Sequence, residues 1–200
     1  MTASRTGRRA AVVALAGAVV LTLGGCSGAD EKPSGGSATS TSAVDLPDGV
    51  TLTEAGAEVA VGKPATVGYP VGEAASALTV TVSSVKAGRA SDLSGYVLDA
   101  AAAASTPYYV SVDVRNDGPD PLGGAAVPVY GFDSTKTYFP PTTFAGEPFE
   151  RCPGGALPKT FDKGATAKAC FVLLVPEGAK LTAVQLRTED LSKPVSWPVP

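Results

Sequence analysis

The run Tyr108-Tyr109-Val110-Ser111-Val112-Asp113-Val114-Arg115 constrains this chain more than any other feature. Tyr108, Val110, Val112 and Val114 alternate with Tyr109, Ser111, Asp113 and Arg115. In a strand that alternation puts the apolar groups on one face, whereas a helix would scatter them around its circumference. The run stops at Asn116-Asp117-Gly118-Pro119, a dense turn signal. A half-buried strand of this kind needs neighbours to pair with and a second layer to cover its apolar face.

Other segments supply those partners. Leu78, Val80 and Val82 alternate with Thr79, Thr81 and Ser83. Ala165, Ala167, Ala169, Phe171, Leu173 and Val175 form one face of a long strand; Thr166, Lys168, Cys170, Val172 and Leu174 form the other. The second half of that strand is apolar on both sides, which predicts a central position covered on both faces. Pro176-Glu177-Gly178 ends it. Val184 and Leu186 alternate with Gln185 and Arg187, and Val195 with Trp197 marks a last strand that Pro194 and Pro198 confine to an edge. Helical spacing occurs only at Leu93, Tyr96, Val97, Ala100 and Ala104, with Ser91 or Asp92 as N-cap, and predicts one short helix or turn. With 23 Gly and 17 Pro against 18% charged residues, short strands and turns are favoured over long helices. The expected fold is all-β: an antiparallel immunoglobulin-like β-sandwich of roughly six to eight short strands over residues 61–200.

The segment before it reads differently. Arg5, Arg8 and Arg9 form a basic start, Ala10 to Leu23 is uncharged and mostly apolar, and Leu23-Gly24-Gly25-Cys26 follows. The apolar stretch is too short to span about 30 Å of hydrocarbon comfortably. Basic start, short apolar run and small residues at the cut describe a secretory signal over residues 1–25. The Leu-Gly-Gly-Cys ending resembles the bacterial lipobox, which implies cleavage between Gly25 and Cys26 and a lipid on the Cys26 thiol. Arg8-Arg9 leaves Sec and twin-arginine export both open. Ser27 to Ser42 is rich in Gly, Ser and Thr and has no apolar period, so residues 26–60 read as a flexible tether that merges into an ambiguous lead-in from residue 43. Such a tether of roughly 16–20 residues has an end-to-end distance of about 20–25 Å. The expected location is therefore a membrane's extracytoplasmic side, held there by the lipid.

The Tyr108 to Gly118 segment also resembles the strand of tyrosine, alternating valines and Asn-x-Gly found in immunoglobulin-like domains of actinobacterial lipoproteins, the telokin-like group of unknown function. Lys163-Gly164 before a strand ending Leu173-Leu174-Val175-Pro176 is similar to the same group. The resemblance covers roughly residues 62–190 and implies a fold but no catalytic residues. It does not account for the long segment between Tyr138 and Thr160.

Several function classes are disfavoured. The chain has no His, and its one Met is the initiator, so it lacks the commonest general base near pH 7 and the thioether of copper carriers. Removing Arg5, Arg8 and Arg9 from 16 basic residues leaves 13 against 19 acidic ones, a net charge of −6, the wrong sign for nucleic acid. No nucleophile-elbow, Ser-x-x-Lys, phosphate-loop or dinucleotide motif is present, and the pairs Gly123-Gly124 and Gly154-Gly155 read as turns.

Cys152 and Cys170 remain once Cys26 carries lipid. Outside the membrane thiols oxidise, and neither has a His or a close Cys-x-x-Cys partner, so a structural disulfide is expected. It would fasten the 144–160 loop across the outside of a strand. Tyr138, Phe139, Phe144 and Phe149 sit in a Pro-rich loop. Exposed, they would make a ligand or partner patch; the plainer reading has them capping the open end of the sandwich. Asn116, Asp117, Asp120 and Asp133 offer oxygen atoms for calcium, but no Asp-x-Asp-x-Asp-Gly loop exists, and turn stabilisation is the plainer role. Asp92 and Asp99 flank the helical segment with no context for acid-base work. No metal and no cofactor is expected. The sequence favours a non-catalytic module binding a protein, peptide or envelope component. Alternatives are a small-ligand carrier or sensor using the 138–160 loop as a lid, and an envelope hydrolase of unfamiliar geometry.

Overall fold

The computed structural model describes residues 46–188 and 192–200. The signal segment, Cys26 and the tether up to residue 45 lie outside the described residues. The described chain forms eight strands: β1 (Pro64–Val71), β2 (Ala74–Ala87), β3 (Thr106–Asn116), β4 (Val129–Asp133), β5 (Tyr138–Phe139), β6 (Thr166–Val175), β7 (Leu181–Leu186) and β8 (Val195–Pro198). They pair into two antiparallel four-stranded sheets, β1-β2-β3-β6 and β5-β4-β7-β8, the β-sandwich expected from the period-two runs.

The alternation decides which face is buried. Leu78, Val80 and Val82 of β2 and Val110, Val112 and Val114 of β3 pack inward against Val129, Val184, Leu186, Val195 and Trp197 of the second sheet. Across β2 and β3 the register sets Val80 opposite Val114 and Val82 opposite Val112. A bulge at Ser83 then resets the phase, which is why Val85, three residues beyond Val82, also packs against the core. Trp197 is fully buried and donates its indole N–H to the Lys63 carbonyl (3.0 Å), tying edge strand β8 to the start of β1 in the opposite sheet. β8 lies at the edge, where its flanking prolines were expected to confine it.

Three expectations are corrected. β6 is an edge strand beside β3, not a central one. Its outward residues are covered all the same: Val172 is buried beneath a loop. Apolar character on both faces reports cover, and a loop supplies it as well as a neighbouring layer does. Second, the helical spacing divides into a 3₁₀ turn at Ala90–Leu93 and a five-residue α1 (Ala100–Ala104), and Val97 between them is fully exposed. Asp99, rather than Ser91 or Asp92, caps α1 by accepting from the Ala102 amide (2.8 Å). Third, the ordered unit begins before residue 61. The Thr53 amide donates to the Thr66 carbonyl (2.7 Å), the Thr66 amide to the Thr53 hydroxyl (2.9 Å), and the Val59 amide to the Ser196 carbonyl (2.8 Å). The lead-in thus bonds to both β1 and β8.

One end of the sandwich is closed by Leu122, Ala125, Val127, Leu157 and Phe161, all buried in the main core. Asn116, wholly buried, organises that closure. Its side-chain oxygen accepts from the Ser76 hydroxyl (2.6 Å) and the Gly118 amide (3.2 Å), and its amide nitrogen donates to the Asp120 (2.8 Å) and Phe161 (3.0 Å) carbonyls. Every hydrogen-bonding position of that side chain is engaged inside the protein.

Candidate functional site

The long segment after β5 builds the most distinctive surface. β5 pairs with β4 only at Gly131–Phe139 and Phe132–Tyr138. Pro140 and Pro141 then stop the ladder, because neither has an N–H to donate. The chain crosses to the other sheet: the Thr142 amide donates to the Val172 carbonyl and the Gly154 amide to the Cys170 carbonyl, both at 2.8 Å on the free edge of β6. Gly154 and Gly155, both at positive φ, turn the chain back, and Leu157 returns to bond the Ala125 carbonyl (2.8 Å). The 140–155 loop therefore wraps the edge of β6.

Cys152 and Cys170 form the disulfide, with Cα atoms 4.7 Å apart, and it fastens this loop to the outer side of β6. Around it Leu93, Phe149, Cys152 and Val172 are buried as a second small core on the outer face of the first sheet. Phe149 stacks on Tyr109 (5.6 Å between ring centroids), and Tyr96 meets both Phe144 (4.6 Å) and Phe149 (5.9 Å). The four aromatics expected to act together separate into two sets. Phe144 and Phe149 pack into this cluster instead of capping the sandwich end, which Leu122 to Val127 and Leu157 to Phe161 already fill. Phe139 lies over Gly131, where even a Cβ would approach its ring to 2.6 Å. Tyr138, half exposed, stands on the second sheet with the Arg187 guanidinium 3.9 Å above its ring.

Asp92 anchors the cluster's polar rim. It accepts from the Arg89 amide and the Tyr109 hydroxyl, both at 3.0 Å, and Arg151 of the loop lies 3.3 Å away. The Arg89 amide first, then the Tyr109 hydroxyl, hold the Asp92 carboxyl below its ordinary value. Burial, with the bond to Asp92 second, pushes the Tyr109 hydroxyl up to about 12. Sequence reasoning missed Tyr96, Tyr109 and Arg151 as partners of this loop. The available signal was Tyr109 itself, an aromatic on the otherwise polar face of β3.

The acidic residues weighed as calcium ligands do not converge. Asp117 accepts from the Thr79 hydroxyl and pairs with Arg115 (2.7 Å), and Asp120 accepts from the Ala75 amide (2.9 Å). Asp133 belongs to the other sheet, where the Thr135 amide and hydroxyl and the Thr137 amide all donate to it. Burial pushes the Asp133 carboxyl up, but those hydrogen bonds outweigh it and hold the group below its ordinary value. Among the described residues, no three of His, Cys, Asp or Glu gather where a metal ion could sit. Asp92 and Asp99 serve a tyrosine–arginine contact and a helix cap respectively.

Between the 140–155 loop and residues 126–130 lies a cleft of about 600 Å³. Tyr69, Tyr130, Phe144, Phe149 and Phe171 contribute rings to its lining, and no Asp, Glu, Lys or Arg does. The Tyr69 hydroxyl donates to the Ala126 carbonyl (2.5 Å) across it. Burial, and Tyr130 second, raise the Tyr69 hydroxyl above its ordinary value. A second groove of about 440 Å³ on the outer face of the first sheet is of opposite character, lined by Asp113, Arg115, Lys168 and threonines.

These features define an antiparallel β-sandwich module with a disulfide-fastened side loop and a neutral cleft. No family model matches the sequence, and no curated protein matches it. Among solved structures the chain is similar to MPT63, a secreted protein of Mycobacterium tuberculosis, at 15% identity and a TM-score of 0.47, covering 71% of this chain and 96% of that one.

Proposed function

We propose that the chain is a non-catalytic binding module, held at the outer side of a membrane by a lipid on Cys26, with the cleft beneath the 140–155 loop as its ligand site. The observation that carries the binding role is that cleft: its volume of about 600 Å³ suits a small ligand or a short stretch of a larger one. Its walls are held by a disulfide and by two amide bonds to the β6 edge, so the shape exists before anything binds. Such preorganisation lowers the ordering cost of association. The Leu23-Gly24-Gly25-Cys26 pattern supports the anchor, and no helix among the described residues is long and apolar enough to cross a membrane.

A hinged-lid version of the same site is less well supported, because the loop is fastened at Cys152 near its far end and by Thr142 at its start. A hydrolase reading lacks a paired acid and base facing the cleft.

Native mass measurement of the membrane-extracted protein tests both halves. The expected chain begins at Cys26, carries a diacylglyceryl group, and retains a non-covalent mass that Thr143→Trp removes by filling the cleft from an exposed lining position. A chain beginning elsewhere without lipid sinks the anchor. A bound mass that survives Thr143→Trp, or no bound mass across several growth conditions, sinks the cleft.

A further inference from the structure

We propose that the cleft takes an uncharged, hydrocarbon-rich small molecule and excludes both anions and cations; this rests on the binding role proposed above. The argument is one of donors, acceptors and charge. An anion leaving water needs either a cation or several N–H and O–H donors to replace its hydration. The lining offers no cation, and its side-chain donors are few: the Thr142, Thr143, Tyr69 and Tyr130 hydroxyls. Pro128, Pro140, Pro141, Pro148 and Pro153 stand in the wall, and a proline has no N–H. Three loop amides are already spent: Thr142 and Gly154 donate to β6, and Cys152 donates to the Phe149 carbonyl (2.8 Å). The Tyr69 hydroxyl donates to Ala126. Burial also raises the Tyr69 hydroxyl's pKa, so this surrounding disfavours negative charge on that wall group.

A cation fares little better. No carboxylate lines the cleft, although the mature chain is acidic overall and carboxylates stand on other surfaces, Asp113 in the second groove among them. The rings offer only their faces, and ring–cation attraction of about 0.5–2 kcal/mol does not replace the hydration of a buried charge. What the walls do offer is apolar area, from Pro128, Pro140, Pro141, Pro148 and Pro153 and the partly exposed Phe144. An alcohol or amide hydroxyl-type donor on a hydrocarbon body fits that surface.

The test uses the chain carrying Cys26→Ser, so that no attached lipid competes, and three probes of equal length: decan-1-ol, decanoate and decyltrimethylammonium. Binding is followed by NMR shifts of the Tyr130 and Phe144 ring protons, both partly exposed in the lining. Decan-1-ol is expected to shift both, with an affinity at least about tenfold above either ion, and Thr143→Trp is expected to weaken it by a similar factor. Either ion binding within about threefold of the alcohol at these rings overturns the uncharged class while leaving the cleft as a ligand site. Failure of all three probes to move any cleft resonance overturns the inference and the cleft reading together.

Discussion

Removing the disulfide with Cys152→Ala and Cys170→Ala together should destabilise the domain by about 3 kcal/mol. The bond closes 18 residues of sequence, and in the chain-entropy treatment a loop near that length removes roughly 3 kcal/mol of unfolded-state freedom. Paired substitution is the right perturbation, because reducing the bond would leave two thiols beside Val172 and Phe149, and serine would bury a hydroxyl where Cys152 is 2% exposed. For a domain of this size the loss corresponds to a fall in Tm of roughly 6–12 °C. The fall should not be uniform. Without the covalent link, the loop is held mainly by the Thr142 and Gly154 amide bonds, worth about 1 kcal/mol each, and the burial of Phe149, worth about 2 kcal/mol, beside the Phe144–Tyr96 contact and the exposed Arg151–Asp92 pair. Against that stands the conformational entropy of the loop, about 1–2 kcal/mol for each residue ordered. Hydrogen exchange should therefore show the Thr142 and Gly154 amides losing protection first, while Val110 and Val112 in β3 keep theirs up to global unfolding. Unchanged Tm together with protected loop amides would refute the reasoning, and would mean that the Tyr96–Phe144–Phe149–Tyr109 ring packing holds the loop alone.

Four further outcomes follow from other parts of the structure. Asn116→Asp removes two donors aimed at the Asp120 and Phe161 carbonyls and puts a carboxylate in their place, so the loss should reach about 3–5 kcal/mol at neutral pH. Because the introduced carboxyl would titrate above its unfolded value, its protonated form is the tolerated one; denaturant melts should show the deficit growing as pH rises from about 4. Trp197→Phe leaves the Lys63 carbonyl without its donor and part of the core unfilled, for a loss of about 2–4 kcal/mol by chemical denaturation. Asp92 has a folded pKa below the unfolded one, so its stabilising contribution is complete above the unfolded carboxyl range and is lost as pH falls through the folded value; Asp92→Asn should flatten that acid-side slope. On the alkaline side Tyr109, raised to about 12, should stabilise the fold fully below about pH 10 and lose that contribution as pH climbs toward 12, and Asp92→Asn should bring its phenolate absorbance step to lower pH.

The sequence by itself determined the class of fold and much of its core. Period-two runs placed Leu78, Val80, Val82, Val110, Val112 and Val114 on buried faces, because alternation is a property of the strand alone and needs no knowledge of its neighbours. Prolines put β8 at an edge by the same local logic, since a residue without an N–H cannot donate to a strand on that side. Only tertiary structure decided what lies beside each strand. β6 carries apolar residues on both faces yet ends its sheet, since a side chain records that it is covered and not whether a sheet or a loop covers it. Likewise Tyr138, Phe139, Phe144 and Phe149 are neighbours in sequence but go to two sheets, because the Pro140-Pro141 step breaks the β5 ladder and sends the chain across to β6. Asn116 reads as a turn residue, and its bond to Phe161 spans 45 positions. The neutral cleft is set in the same way: it is enclosed by residues from Tyr69 to Phe171, and no local pattern specifies a space that exists only once those distant segments have packed.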